Sequence, residues 1–395
     1  MSVVSLDALR WGLKELPPLS LYVHVPWCVR KCPYCDFNSH EAKNGFDEMA
    51  YVDALLRDLE FDLPKVWGRP VRTIFIGGGT PSLLSAAAID ALLTGIRMRV
   101  KLDPEAEITL EANPGTFEID KFQGFRDAGV NRLSIGIQSF NEAHLKALGR
   151  IHDAAEARRA VEIATGIFER VNLDLMYALP NQTLAEALSD VETAISYGVS
   201  HVSAYHLTIE PNTLFAVQVP ANLPEDDESA RMQEAIEQRL AEAGYLHYET
   251  SAFAKPGQQS RHNVNYWQFG DYLGIGAGAH GKLSFHDRIE RFMRAKQPAA
   301  YLKAVADGVP NQSLHSVDKA DLPFEFMMNL MRLTGGFESR LFQERTGLPL
   351  IKIEAELKQA EARGLIARDL ATIRPTELGQ RFLNDLLTLF LKEGD

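Results

Sequence analysis

The strongest constraint on this chain is a repeated unit, a short apolar strand followed by a helix. Strand-like runs occupy residues 21–25, 72–76, 108–110, 132–137, 171–175 and 202–207. Helical stripes separate them, as at Met49, Val52, Leu55, Leu56 and Leu59, and again at Ile89, Leu92, Leu93 and Ile96. Strands that alternate with helices predict a parallel sheet with helices packed outside it. Polar residues fall at or just past the strand ends: Glu111, Gln138, Asp174 and His206. The second strand runs into Gly77-Gly78-Gly79-Thr80-Pro81. In a (β/α) barrel this C-terminal edge is where sites are built. A dinucleotide-binding sheet shares the alternation, but its G-x-G-x-x-G turn after the first strand is absent here. That strand leads into cysteines instead.

The pattern changes near Phe285. Helical runs follow at 324–333, 339–346 and 350–363, then an apolar Leu365-Ile366, a candidate wing at Ile373-Arg374 and a final helix from Thr376. The expected fold class is α/β: an N-terminal segment over 1–20, a partial (β/α) barrel over 21–285, and a small, mainly helical, winged-helix-like domain over 286–395. A winged helix invites a DNA-binding reading. The segment is not strongly basic and the chain carries a formal charge of −12, so a lid or packing module is preferred and nucleic acid is not an expected partner.

Hydrophobic residues make up 46% and charged residues 24%, as in soluble globular proteins. No apolar run reaches the ~18 residues of a membrane span. The N-terminus lacks the apolar core of a signal peptide, and the stretch with Arg10, Trp11 and Lys14 is too short and mixed to serve as an address. A cytoplasmic protein is expected, associated with membranes only through its partners.

All three cysteines, Cys28, Cys32 and Cys35, lie within eight residues as C-x3-C-x2-C. An odd, clustered set cannot be a secreted disulfide framework. Three thiolates can ligate three irons of a cubane and leave the fourth open to an exogenous ligand. The competing reading is zinc, with His24 or His40 completing four closed ligands. The tight triplet on the loop after a first barrel strand is typical of the radical S-adenosylmethionine (SAM) superfamily, in which SAM chelates the open iron of a [4Fe–4S] cluster.

The resemblance becomes specific in Tyr22-Val-His-Val-Pro-Trp-Cys28 and Cys32-Pro-Tyr-Cys35-Asp-Phe37. With Gly77-Gly-Gly-Thr-Pro-Ser82, Glu111-Ala-Asn-Pro114, Arg132-Leu-Ser-Ile-Gly-Ile-Gln-Ser-Phe140, Leu148-Gly-Arg-Ile-His152 and Asn172-Leu-Asp-Leu-Met176, the chain resembles the oxygen-independent coproporphyrinogen III oxidase family from about Leu21 onward. The resemblance implies a SAM pocket. Tyr22 is then expected near the cluster and the methionine moiety, and the Gly78, Gly79 and Thr80 backbone at the amino group. Arg150 is expected at the methionine carboxylate, and Glu111, Gln138 and Asp174 at the amino and ribose hydroxyl groups.

The oxidase carries a further cysteine two residues after the third ligand, where this chain has Phe37, and a long N-terminal extension that is missing here. These departures resemble the sister group of haem chaperones, HemW, marked by His262-Asn-Val-Asn-Tyr266-Trp267 and the following Gly274-Ile-Gly-Ala-Gly-Ala-His280. That likeness implies haem binding and delivery to haem proteins, such as membrane-bound respiratory enzymes, without oxidase activity. His262 is expected to ligate or touch haem iron, with Tyr266 and Trp267 flanking the ring and His206 and His280 as reserve ligands. If the 274–281 strand closes the barrel's open side, the motif sits at the mouth beside the cluster. Oxidase activity in porphyrin biosynthesis is the alternative, and whether the chain is an enzyme stays open. So does its oligomeric state, a dimer included.

Overall fold

Six strands run parallel in sequence order: β1 (Leu19–Val25), β2 (Pro70–Gly78), β3 (Lys101–Ala112), β4 (Arg132–Gln138), β5 (Arg170–Tyr177) and β6 (His201–His206). The structure is a computed structural model and describes residues 12–391 apart from 44 and 116–118. Arg10, Trp11 and the first part of the 1–20 segment lie outside the described residues. β1 is buried at every position except Tyr22, which is half-buried. Such burial marks a parallel strand covered on both faces.

Helices α1 (Glu48–Val66), α2 (Ala86–Arg99), α3 (Phe122–Ala128), α4 (Ala154–Ile167) and α5 (Leu184–Ser196) follow β1 to β5 in turn, and α6 (Asp226–Glu242) follows β6. Local capping chemistry sets where the chain leaves each site-bearing loop. The Asp47 side chain accepts from the Ala50 N–H at the start of α1, and Asp153/Glu156 and Thr183/Glu186 form capping boxes on α4 and α5.

Beyond β6 the sheet gains an antiparallel edge, β7 (Leu246–Glu249) and β8 (Ala252–Ala254). A short helix, α7 (Arg261–Trp267), precedes β9 (Asp271–Ile275). β9 crosses back to pair parallel with β1 on the side away from β2. β10 (His280–Ser284), β11 (Ile289–Arg294) and β12 (Asn311–Ser316) continue antiparallel. The order across the 12 strands is β12-β11-β10-β9-β1-β2-β3-β4-β5-β6-β8-β7, so the main sheet runs on past residue 285. Buried Arg294 on β11 ties this extension to α1, its Nη2 lying 2.7 Å from Asp58 Oδ1 and 2.5 Å from Asp62 Oδ2.

The remaining chain packs around a second apolar core that includes Leu322, Phe326, Phe342, Leu357 and Ile373. Its helices Leu322–Leu330, Ser339–Thr346 and Glu354–Ala362 stand beside a three-stranded sheet of Phe337–Glu338, Thr372–Pro375 and Ile366–Arg368. That is a winged-helix-like arrangement. Among the described residues no helix is long and apolar enough to cross a membrane.

Candidate functional site

β1 ends at Val25 and the chain turns into the cysteine loop. Backbone bonds pin this loop: the His40 N–H donates to the Pro26 carbonyl at 2.7 Å, and the Ala42 N–H to the Cys28 carbonyl at 2.9 Å. Cys28 is buried, while Cys32 and Cys35 are partly exposed. All three face one cavity with Gly78, Gly79, Thr80, Glu111, Gln138, Arg150, Asp174 and Phe37. The spread-out signatures of the sequence thus meet at the C-terminal edge of β1 to β5, as a (β/α) sheet requires.

The glycine turn is shaped by close approach. Gly78 has φ of 118°, and a Cβ there would lie 2.6 Å from the His24 ring. A Cβ on Gly79 would lie 2.6 Å from the Trp27 carbonyl oxygen. Only glycine lets this backbone pass over the cysteine loop. His24 is itself held between the Tyr22 hydroxyl at 2.9 Å and the Asn38 carbonyl at 2.8 Å. Tyr22 is half-buried, with its ring stacked on Phe75 at 6.3 Å between centroids.

Two acids and one cation set the electrostatics. Glu111 Oε2 accepts the Gly78 N–H at 3.0 Å. Burial, reinforced by Asp174, raises the Glu111 pKa to about 8, so this carboxyl is largely protonated at neutral pH. Burial also raises Asp174, against hydrogen bonds from Asn172, Ser203 and Ser134. Arg150 donates to Asn113 Oδ1 at 2.6 Å and to the Gly136 carbonyl at 2.8 Å, and its Nη1 lies 3.5 Å from both Cys32 Sγ and Tyr34 Oη. Gln138 adopts φ of 67°, a left-handed conformation uncommon outside glycine. Strain of this kind collects at functional sites.

The donor set suits an iron–sulfur cluster. Burial raises the Cys28 and Cys35 thiols above their ordinary range, so ligation would have to displace protons. Among the described residues, no three His, Cys, Asp or Glu side chains stand close enough to hold a single metal ion. The thiols ring a space instead, and a cubane is ligated iron by iron. The cavity has a volume of about 150 Å³, and Phe37, among its lining residues, is 61% exposed. Asn113, Tyr34 and Ser134 were not singled out by sequence. Each lies inside a quoted motif, which was the available signal.

The haem motif is placed differently from the sequence expectation. His262 is not at the mouth beside the cysteines. It is buried at the opposite end of the sheet, with Nδ1 2.8 Å from Thr73 Oγ1 and its ring 5.1 Å from that of Phe75. The reason is strand direction: α7 feeds the N-terminal end of β9, and β9 is parallel to β1. A helix entering a parallel strand arrives at the end away from the loops that leave it. Burial lowers His262 to about 4, so its imidazole is neutral. Tyr266 and Trp267 pack edge to face, 4.9 Å between ring centroids, and line a cavity of about 530 Å³ with Phe324, Met328, Arg332, Leu383 and Leu387. His206 and His280 lie exposed at the cysteine end of the sheet.

Comparison with known proteins adds to this geometry. Residues 22–194 match the model of the radical SAM superfamily, and residues 317–382 match the HemN C-terminal domain. A protein described as heme chaperone HemW in Escherichia coli strain K12 is 51% identical over 381 residues, spanning 96% of this chain and 100% of that protein. HemW proteins of Haemophilus influenzae and Bacillus subtilis are 49% and 34% identical, over 96% and 95% of this chain and 100% and 99% of theirs. The solved structure of coproporphyrinogen III oxidase (HemN) from Escherichia coli superposes with a TM-score of 0.80 at 24% identity, covering 95% of this chain and 90% of that one. At that identity the likeness speaks for the fold.

Proposed function

Because this chain belongs to the HemW family of haem chaperones within the radical SAM superfamily, we propose that it binds haem and delivers it to haem proteins, with a [4Fe–4S] cluster and SAM held at the cysteine loop. The observation that carries the reading is the convergence of three thiols, a glycine turn, two half-buried acids and an arginine on one cavity. Cys28, Cys32 and Cys35 would hold the cluster. With cluster and SAM bound, the site supplies one-electron reduction of a sulfonium.

The chain's own residues bind and orient. The Gly78, Gly79 and Thr80 backbone offers polar groups to the SAM amino group where no side chain intervenes. Glu111, Gln138 and Asp174 take the amino and ribose hydroxyl groups. Arg150 takes the carboxylate with its planar fork. Tyr22 supports the turn through His24. Phe37 supplies an apolar edge where the oxidase has a cysteine.

Haem is proposed to bind at α7. Apolar walls and the flat faces of Tyr266 and Trp267 suit a porphyrin. Arg332, 4.5 Å over the Trp267 ring, suits its carboxylates. His262 faces inward in this arrangement, so contact with the iron requires α7 to turn away from Thr73. Its neutral imidazole is the ligating form. Recipient haem proteins, membrane-bound respiratory enzymes among them, are the proposed partners.

The test is anaerobic haem titration of reconstituted wild type against His262→Ala and Trp267→Ala, with iron and sulfide measured in each. Loss of haem binding at unchanged cluster content supports the assignment, and unaltered haem spectra in both variants remove α7 from it. In parallel, coproporphyrinogen with SAM and a reductant is assayed. Clear protoporphyrinogen formation would replace the chaperone reading with the oxidase.

A further inference from the structure

We propose that a buried hydrogen-bond chain couples Asp174 in the cysteine-side cavity to the N-terminus of α7, so that SAM occupancy changes haem affinity. This rests on the haem and SAM reading above and specifies how the two sites are regulated.

The chain begins at Asn172 and His201, which pair across β5 and β6. They are 2% and 1% exposed, so their polar atoms must be satisfied internally. Asn172 Nδ2 donates to Asp174 Oδ1 and to Ser134 Oγ, both at 2.8 Å. Its Oδ1 accepts from Ser203 Oγ at 3.1 Å and lies 2.6 Å from His201 Nδ1. That amide orientation assigns the His201 proton to Nδ1, because an amide oxygen cannot donate. Nε2 is then an acceptor, and the Tyr248 hydroxyl donates to it at 2.8 Å. The Tyr248 oxygen in turn accepts the backbone N–H of Ser260 at 3.3 Å. Ser260 is the N-cap of α7, fully buried, and its side chain accepts from the Asn263 N–H.

Every donor in this series therefore points the same way, from Ser260 through Tyr248, His201 and Asn172 to Asp174. The backbone N–H at one end can only donate and the Asp174 carboxylate accepts at the other, so the direction is fixed and a change in the strength of one bond is felt by its neighbours. Burial, with Arg132 and Arg170 nearby, holds His201 well below its ordinary range and keeps it neutral, which the assignment requires. The two ends meet different cavities. Asp174 lines the cysteine-side cavity, and Tyr248 lines one of about 700 Å³ beside Arg261 and Asn265 of α7. A ligand that takes up the Asp174 oxygens weakens its pull on Asn172. That loosens Tyr248 from Ser260 and with it the helix whose release exposes His262. Tyr248, His201 and Asn172 are thus positioning residues.

The experiment uses full-length, cluster-reconstituted protein. Haem affinity is titrated with and without SAM in wild type and in Tyr248→Phe, which keeps the ring and deletes the hydroxyl. Wild type should show a SAM-dependent change of about five-fold or more, with haem changing SAM affinity by the same factor. Tyr248→Phe should bring that ratio near unity. A merely structural loss would lower each affinity alone and leave the ratio intact, and that result would overturn the proposal. Haem binding that ignores SAM in wild type would overturn it too while leaving the chaperone reading standing. Absence of haem binding in wild type would sink the reading on which it rests. Should Tyr248→Phe fail to fold, hydrogen exchange of wild type decides. SAM should change the protection of α7 amides, and unchanged protection rejects the coupling.

Discussion

The Arg150 guanidinium lies 3.5 Å from the Cys32 sulfur while its other nitrogen is fixed by Asn113 and the Gly136 carbonyl. A permanent cation is thereby held against the Cys32 thiol at the edge of the cavity. It offers a charged donor to an incoming carboxylate. Arg150→Ala should weaken SAM binding by about 1.5–3 kcal/mol, the range for hydrogen bonds to charged groups, while iron and sulfide content are kept. Calorimetry on reconstituted protein measures this, and unchanged affinity would take Arg150 out of the SAM pocket.

Cys28→Ser, Cys32→Ser and Cys35→Ser should each lose the broad iron–sulfur absorbance, since on the proposed assignment each thiolate would serve a separate iron. The signal is iron and sulfide per chain after anaerobic reconstitution. Full content in any one variant would mean that its cysteine is not a ligand.

Two glycines should respond in opposite directions. Gly78→Ala places a methyl 2.6 Å from the His24 ring at φ of 118° and should cost about 1–3 kcal/mol. Gly166 lies in α4 with open space around its missing Cβ, so Gly166→Ala should stabilise by roughly 0.5–1 kcal/mol. Denaturant unfolding of the cofactor-free protein compares them. Equal effects would mean that the close approach at Gly78 is not a real constraint.

Glu111 predicts a pH dependence. Its carboxyl titrates near 8 in the fold against an ordinary value of 4.5. Between those values the folded state keeps a proton that the unfolded chain has released, so stability falls as pH rises through the window. The loss is complete above about pH 8 and absent below the ordinary value. Glu111→Gln should therefore raise the melting temperature of cofactor-free protein near pH 8.5, with the gain shrinking toward pH 5. A gain independent of pH would show that this carboxyl is not held protonated by its surroundings.

What the sequence determined is local or periodic. Strand–helix alternation specifies a parallel sheet because each apolar face must be covered. Polar residues after strands gather on one edge because parallel strands share a direction. The cysteine spacing and the glycine turn are legible because a few adjacent residues create each of them. Hence Cys28, Gly78, Glu111, Gln138, Arg150 and Asp174 were legible together, though 145 residues lie between the first and the last.

Only the tertiary structure decided which end of the sheet receives His262. The spacing of its motif is the same at either end; the end depends on β9 pairing parallel with β1 rather than antiparallel. The same holds for the buried chain from Asp174 to Ser260. Asn172, His201 and Tyr248 belong to three different strands and share no motif, and their contacts exist because one sheet brings β5, β6 and, across β8, β7 together. Sequence patterning records which face of a strand is apolar. The polar partners that meet inside the sheet are set by strand order and register, which emerge when the whole sheet closes around its core.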